Sequence, residues 1–142
     1  MNDIKYIVNP PIISEEVMDL IGKFPQYCWR TKEKTAEALK SAICCVAAYN
    51  KDKLVGLVLA GSPDNAYFIY IHSLMVLPEL QNHGIGTQLI KRILSHCEQL
   101  DYMDTVCFAA PGARTFLEKM GFVKDLDNIQ GMILKHDIEG EK

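Results

Sequence analysis

The chain has 142 residues, 49% of them hydrophobic and 23% charged, which is a globular composition with enough length for a real core. Its net charge of −3 gives no electrostatic reason to expect a nucleic-acid partner. No apolar stretch approaches the roughly 20 residues that span a membrane, and the first residues lack a signal-peptide pattern. We therefore expect one cytoplasmic domain over residues 1–142, with no membrane or nucleic-acid partner.

Apolar periodicity and turn residues divide the chain into strands and helices. In chain order, the predicted elements are a strand (4–9), two helices (14–24 and 31–42), three strands (43–50, 54–61 and 67–76), a helix (84–99), a strand (103–110), a helix (111–122) and a strand (130–136). Ser14 and Thr31 are the predicted N-caps of the first two helices. With one more strand near Val123, this order predicts an α/β (α+β) fold with a mixed central sheet of about six to seven strands and about four helices.

The five cysteines predict neither a disulfide framework nor a metal site. Their number is odd, and no C-x-x-C pair occurs among them. Cys44 and Cys45 lie in "AICCVAAY", where small apolar thiols suit a buried strand. Core packing is therefore the predicted role for most of the cysteines.

A proline and two glycines separate the 67–76 strand from the 84–99 helix, in "LPELQNHGIG" (77–86). The first N–H groups of a helix have no partner inside it, so this junction favours an anion. Successive N–H groups of 82–87 can form a concavity for a pyrophosphate, which Gly84 and Gly86 let the backbone approach closely. The chain lacks the complete Walker and dinucleotide-binding glycine patterns. A plain phosphate-binding α/β domain is one interpretation of this turn.

Together with Val76 and Pro78, "QNHGIG" (81–86) resembles the acetyl-CoA signature of the GNAT superfamily of N-acetyltransferases, Q/R-x-x-G-x-G/A after a strand ending in V-x-P. "FLEKMGF" (116–122) is similar to the family's F-Y-E-K-x-G-F segment, and the resemblance covers nearly the whole chain. It implies that strands four and five splay apart and that the pantetheine arm of acetyl-CoA pairs with the backbone of strand four. The cofactor-binding residues that it implies are Leu74, Met75, Val76, Gln81, Asn82, His83, Gly84, Ile85, Gly86 and Thr87.

The resemblance also implies a reaction, in which a primary amine attacks the thioester of acetyl-CoA directly, without a covalent enzyme intermediate. An ammonium must first lose a proton, yet no acidic residue lies between Asn65 and Val76. His72, in "IHSLMV", is similar to the His of "LHALAV" in arylalkylamine N-acetyltransferases, which is linked to proton removal. Tyr70 lies on the same side of a regular strand and could help to carry a water chain. A merely structural role for His72 is equally open.

Tyr27 and Trp29 join the first two helices, which roof the acceptor pocket in this family, and could form an aromatic wall for the amine. The alternative is that Trp29 anchors the helix pair to the sheet. Leu117 stands where the family segment has a tyrosine that protonates the departing thiolate. That departure keeps a second class open, an acyl-CoA-binding sensor or scaffold without efficient turnover. The resemblance implies an acceptor that is a small-molecule amine or a peptide or protein amine, and it leaves a homodimer possible. Neither the acceptor nor the oligomeric state follows from this sequence.

Overall fold

The computed structural model describes residues 3–136, which form five β-strands and four α-helices. The strands are β1 (Ile4–Val8), β2 (Cys44–Asn50), β3 (Lys53–Gly61), β4 (Phe68–Val76) and β5 (Asp104–Val106). The helices are α1 (Ser14–Ile21), α2 (Lys32–Ser41), α3 (Ile85–Glu98) and α4 (Arg114–Lys119). Within the described residues, no helix combines the length and the apolar content that crossing a bilayer requires.

The strands form one mixed sheet in the order β1-β2-β3-β4-β5. The first four are antiparallel neighbours, and β5 runs parallel to β4. Helix α3 packs on one face of the sheet, next to Gly56 of β3. On the opposite face, α1 packs on β3 and α2 packs on α1. The predicted α/β architecture with one mixed sheet is therefore confirmed.

Helix α3 buries the apolar stripe that its sequence predicts. The stripe repeats every three to four residues and is at most 5% exposed at each buried position: Ile85, Leu89, Ile90, Ile93 and Cys97. These side chains pack against β2, β3 and β4, and Ile85 and Leu89 lie next to Gly56 of β3. The stripe thereby fixes where the N-terminus of α3 lies relative to the end of β4.

The N-terminal cap of α1 was predicted one residue too late. Ile13 is the N-cap and makes no side-chain capping bond, whereas Ser14 is already helical. The helix ends at Ile21 and not near Phe24, because the N–H groups of Lys23 and Phe24 bond to carbonyls three residues back and not four. The cap predicted for α2 is confirmed: the Thr31 hydroxyl oxygen accepts from the backbone N–H of Lys34 at 3.2 Å.

The prediction of six to seven strands was wrong, because the structure has five strands within residues 3–136. The predicted strand over 130–136 and the one near Val123 are absent from this part of the chain. Leu134 is 83% exposed there, and no neighbouring strand supplies ladder partners. Strand propensity is realised only when pairing and burial accompany it. The strand predicted over 103–110 is likewise shortened, to Asp104–Val106.

Contact density divides the chain into two compact units, one ending at Cys107 and the other beginning at Phe108. The first contains the whole sheet and α1 to α3, and the second contains α4. Within the second unit, the Phe108 ring lies against Gly131. Cδ1 of Phe108 lies 2.9 Å from the place that a Cβ on Gly131 would occupy. The single domain expected over residues 1–142 stays a prediction.

We predict that Gly56→Val destabilises the protein by about 1–3 kcal/mol, because an extra side chain would overpack the contact between β3 and α3. A Cβ on Gly56 would lie 3.1 Å from Leu89 Cδ1 and 3.3 Å from both Ala48 Cβ and Ile85 Cγ2. Urea unfolding monitored by circular dichroism measures the change. The matched control is Gly22→Ala, whose Cβ would make only ordinary contacts at 3.4 and 3.6 Å. Equal unfolding free energies for Gly56→Val and the parent would contradict the packing argument.

Candidate functional site

The turn between β4 and α3 leaves a run of backbone donors free. A short 3-10 helix over Pro78–Leu80 leads into Asn82 and Gly84, which have left-handed φ angles of 65° and 88°. Gly84 is the N-cap of α3, and no heavy atom lies within 4 Å of the place of an added Cβ. Among the described residues, no acceptor bonds the backbone N–H groups of 82–87. The turn is therefore an open concavity of N–H groups at a helix N-terminus, which favours an anion.

Two polar side chains of the turn hold its shape. The Gln81 side-chain amide donates to the Val76 carbonyl at 3.0 Å, tying the turn to the last residue of β4. Nδ1 of His83 lies 2.9 Å from the Gln81 carbonyl and 3.2 Å from that of Leu80, so this nitrogen carries a proton that both oxygens accept. Both side chains thus bond the turn itself, and the donors left for an anion are backbone groups.

Strand β4 carries a bulge near its middle. Leu57 of β3 pairs with Met75, while Leu59 pairs with His72, so β4 has one residue more than β3 in this interval. Ser73, inside the bulge, has a left-handed φ of 56°, which is uncommon for a residue with a Cβ.

From Ile71 onward, which is already before the bulge, β4 lacks a second neighbouring strand among the described residues. It pairs with β5 only from Phe68 to Tyr70, and no further pairing between the two occurs in the described residues. The edge that includes Leu74, Met75 and Val76 is therefore not covered by β5. The splay of strands four and five that the family resemblance implies would lie at this place and stays a prediction.

A cavity of about 210 Å³ lies between the bulge and the α1–α2 side of the sheet. Apolar side chains of α1, α2, β3 and β4 form most of its wall, and Trp29 contributes an aromatic edge. Its polar lining consists of Arg30, Lys34, Thr35, His72 and Ser73. Larger grooves of about 390 and 810 Å³ lie elsewhere on the first unit, but neither of them includes a residue of the bulge.

A chain of polar contacts connects Arg30 to His72 inside this cavity. Nη1 of Arg30 donates to Oγ of Ser73 at 3.1 Å, and Nδ1 of His72 lies 2.9 Å from the same oxygen. A guanidinium can only donate, so Ser73 Oγ accepts from Arg30 and can direct its own hydrogen to Nδ1. The Tyr70 ring lies beside this chain, with its centroid 5.1 Å from that of His72. Tyr70 and His72 are thus brought together as predicted.

Burial and nearby charge keep these groups uncharged at neutral pH. Burial, and then the positive charge of Arg30, lower the pKa of His72 below its ordinary 6.5, so the imidazole is neutral at pH 7. Burial is also the largest cause that raises the pKa of Tyr70 above 10.0, and its phenol therefore stays protonated. A neutral imidazole with a hydroxyl bonded to Nδ1 can accept a proton directly or through that hydroxyl.

The two predicted aromatic residues have different environments. Trp29 lines the cavity and is 52% exposed, and its Nε1 donates to the Gln26 carbonyl at 3.0 Å. Tyr27 is not part of the described lining and lies against Arg30, whose Cζ is 4.3 Å from the Tyr27 ring centroid. An aromatic wall from Trp29 therefore fits the geometry better than one from Tyr27. The remaining sequence candidate, Leu117, is buried in α4 of the second unit.

Sequence reasoning missed Arg30 and Ser73, which together organise the polar lining of the cavity. Each is the sequence neighbour of a predicted site residue: Arg30 follows Trp29, and Ser73 follows His72. The available signal for Arg30 was a cation directly after Trp29 and three residues after Tyr27, since guanidinium groups stack on such rings.

Comparison with known families decides the identity. The model of the acetyltransferase (GNAT) domain family matches residues 13–135 of this chain. The chain belongs to the GNAT superfamily of acetyltransferases. This confirms the family that the turn signature and the "FLEKMGF" segment indicate in the sequence.

Curated relatives of this GNAT protein include several N-acetyltransferases. The uncharacterized N-acetyltransferase ycf52 of Pyropia yezoensis is 30% identical over 122 residues, which cover 83% of this chain and 67% of that protein. The ycf52 protein of Porphyra purpurea is 28% identical over 122 residues, with coverages of 83% and 67%. The GCN5-related N-acetyltransferase 2, chloroplastic, of Arabidopsis thaliana is 32% identical over 80 residues, covering 56% of this chain and 31% of that protein.

Solved structures share the fold at lower sequence identity. Protein SA2161 of meticillin-resistant Staphylococcus aureus, a probable acetyltransferase, superposes with a TM-score of 0.80 at 21% identity, covering 94% of this chain and 99% of that one. The GNAT family protein SP0256 of Streptococcus pneumoniae gives a TM-score of 0.77 at 24% identity, with coverages of 94% and 98%. Both support the α/β GNAT fold.

We predict that Arg30→Gln raises the pKa of His72, because it removes the positive charge that disfavours the imidazolium. Burial remains, so the pKa should still lie below that of an exposed histidine. An NMR titration of the His72 ring measures it directly. Lys40→Gln, which removes a charge from α2 outside the cavity lining, is the matched control and should leave the titration unchanged. An unaltered or lowered pKa in Arg30→Gln would show that Arg30 does not act on His72 electrostatically.

Proposed function

We propose that this GNAT protein transfers an acetyl group from acetyl-CoA to a primary amine by direct attack in a ternary complex. The observation that carries the proposal is the meeting, at the β4 bulge, of an uncovered strand edge and a cavity with a neutral histidine. The free N–H groups of 82–87 lie at the end of the same strand. These features suit the two substrates of a family acetyltransferase.

The cofactor binds along β4 and at the turn. Its pyrophosphate accepts from the backbone N–H groups of 82–87, where the missing side chain of Gly84 leaves room for close approach. Its pantetheine arm pairs with the edge of Leu74–Val76 as an added strand would, because β5 does not occupy that edge. The thioester then lies at the bulge, where a β4 backbone N–H can polarise its carbonyl.

The amine enters from the cavity on the α1–α2 side. An alkylammonium has a pKa of about 10 and must lose a proton before it attacks. The neutral His72 takes that proton, either directly or through the Ser73 hydroxyl bonded to Nδ1, with Tyr70 beside them. The amine nitrogen bonds to the carbonyl carbon and then releases its second proton to solvent. The carbon–sulfur bond breaks, and CoA leaves as a thiolate that takes a proton from solvent. The products are the N-acetylated amine and free CoA.

The binding-module alternative, an acyl-CoA sensor or scaffold without efficient turnover, rests on Leu117 alone and gains no further support from the described residues. Thiol release from acetyl-CoA with a panel of amines separates the two functions, since a module that only binds would release none. The cytoplasmic location stays a prediction, because one relative is named as chloroplastic.

We predict that Gly86→Val and Gly84→Asn each weaken CoA binding tenfold or more, equal to about 1.4 kcal/mol, by obstructing the backbone concavity. Asparagine tolerates the left-handed conformation of residue 84, so the second variant adds bulk with little change of turn geometry. Isothermal titration with CoA measures the affinity. Ser95→Val adds the same side chain to an exposed position of α3 and serves as the control. Folded variants that bind CoA like the parent would mean that the cofactor site lies elsewhere.

We predict that His72→Ala lowers kcat by roughly 100-fold, the low end of the range for loss of a general base, with little change in CoA affinity. The acidic limb of the pH–rate profile should disappear with the imidazole. His96→Ala, on α3 and outside the cavity lining, is the control and should keep both the rate and the limb. A parental rate and profile in His72→Ala would leave His72 with a structural role only.

A further inference from the structure

The cavity beside the bulge has an unbalanced charge. Among its described lining residues are two cations, Arg30 and Lys34, and no Asp or Glu. The nearest part of β4 does not supply one either, because no acidic residue lies between Asn65 and Val76. Within the described residues, Arg30 forms no ion pair, and the single salt bridge joins Lys32 to Glu15 elsewhere. A half-buried guanidinium without a counter-ion favours an anionic ligand.

The guanidinium of Arg30 is also held in place. Its Cζ lies 4.3 Å from the Tyr27 ring centroid and 5.5 Å from that of Trp29. One N–H bonds to Ser73, and the rest find no acceptor among the described residues. Because the rings and the serine fix the planar group, the remaining donors form a prepared fork for a carboxylate or phosphate. Contact with the two aromatic rings accounts for the position of the guanidinium but leaves its charge unbalanced.

This positive charge opposes one class of acceptor and favours another. A polycationic amine would bring further positive charge into a cavity that already has two cations and no acid to balance them. An amine that carries an anionic group would pair with Arg30 and still leave the cavity with a net positive charge, because Lys34 remains. Its apolar part would lie against the walls formed by Leu57, Leu59 and Met75. Specificity therefore includes repulsion of the wrong acceptor as well as attraction of the right one.

We propose that the acceptor is an amine bearing a carboxylate or phosphate group, and that Arg30, assisted by Lys34, binds this group in the cavity beside the β4 bulge. The inference rests on the proposed acetyl transfer and specifies its acceptor. Nη1 of Arg30 lies 3.1 Å from Ser73 Oγ, next to where the amine loses its proton, so only a few bonds separate the amine from the anionic group.

The test uses pairs of acceptors that differ in the anionic group alone: phenylalanine with phenethylamine, β-alanine with ethylamine, and 2-aminoethyl phosphate with ethanolamine. Thiol release from acetyl-CoA gives kcat/KM for each. We expect the acidic member of at least one pair to be favoured by about 10- to 100-fold, the value of one hydrogen bond to a charged group. A preference in the carboxylate pairs alone identifies a carboxylate as the anionic group of the acceptor, and a preference in the phosphate pair alone identifies a phosphate.

Arg30→Gln should abolish this preference, Arg30→Lys should retain part of it, and Lys34→Gln should weaken it. The decisive quantity is the ratio of kcat/KM between the two acceptors of a pair. Arg30→Gln also raises the pKa of His72, but that change affects both acceptors alike and cancels in the ratio. Lys40→Gln is the control and should keep the parental ratio. Lys34 is exposed, so Lys34→Gln provides a second test if Arg30→Gln fails to fold.

Three results would overturn the inference: equal kcat/KM within every pair, a preference for spermidine over all acidic acceptors, or an unchanged ratio in a folded Arg30→Gln variant. Each of these requires turnover with some amine. Failure of the parent protein to release thiol with any amine, in contrast, would contradict the proposed acetyl transfer itself. The two failures are therefore distinguishable in the same assay.

Discussion

The extra residue in β4 is the constraint on which the candidate site depends. In a regular strand, consecutive side chains point to opposite faces, so His72 and Ser73 would lie on different sides of the sheet. The left-handed conformation of Ser73 breaks this alternation, and both side chains line the same cavity. Only then can one serine oxygen meet both Arg30 and His72. The bulge also lies where β4 no longer pairs with β5, so the uncovered edge and the polar cavity meet at one point.

Under the proposed function, the charge of Arg30 acts on both partners of the proton transfer. It helps to lower the pKa of His72, which makes the imidazole a weaker base but keeps it neutral and able to accept. The same charge lowers the pKa of an ammonium bound nearby, because a like charge disfavours the protonated form. The difference between the two pKa values, which sets the cost of the transfer, therefore changes less than either value alone. A modest base is sufficient for an amine that the cavity itself makes more acidic.

The sequence predicts those features that local rules determine, and misses those that depend on distant contacts. The α3 stripe, the Thr31 cap and the Gly84 turn follow from short-range periodicity and backbone chemistry. The bulge does not, because "YFIYIHSLMV" reads as an uninterrupted strand and Ser73 carries no turn signal. The bond from Arg30 to Ser73 joins residues 43 positions apart, which no local pattern encodes. The strand predicted over 130–136 does not form, for the same reason. A segment becomes a strand only if a neighbouring strand is there to pair with it, and the segment's own sequence does not show this.

Leu117 bears on how the thiolate leaves in the proposed reaction. A family member with tyrosine there has an acid for the departing sulfur, and Leu117 has none. A thiol pKa of about 8.5 already makes the thiolate a tolerable leaving group near neutral pH. A guanidinium at the bulge would lower that pKa further and stabilise the negative charge that develops on the carbonyl oxygen. Under the proposed function, charge that is fixed before the reaction can replace part of what a proton donor supplies.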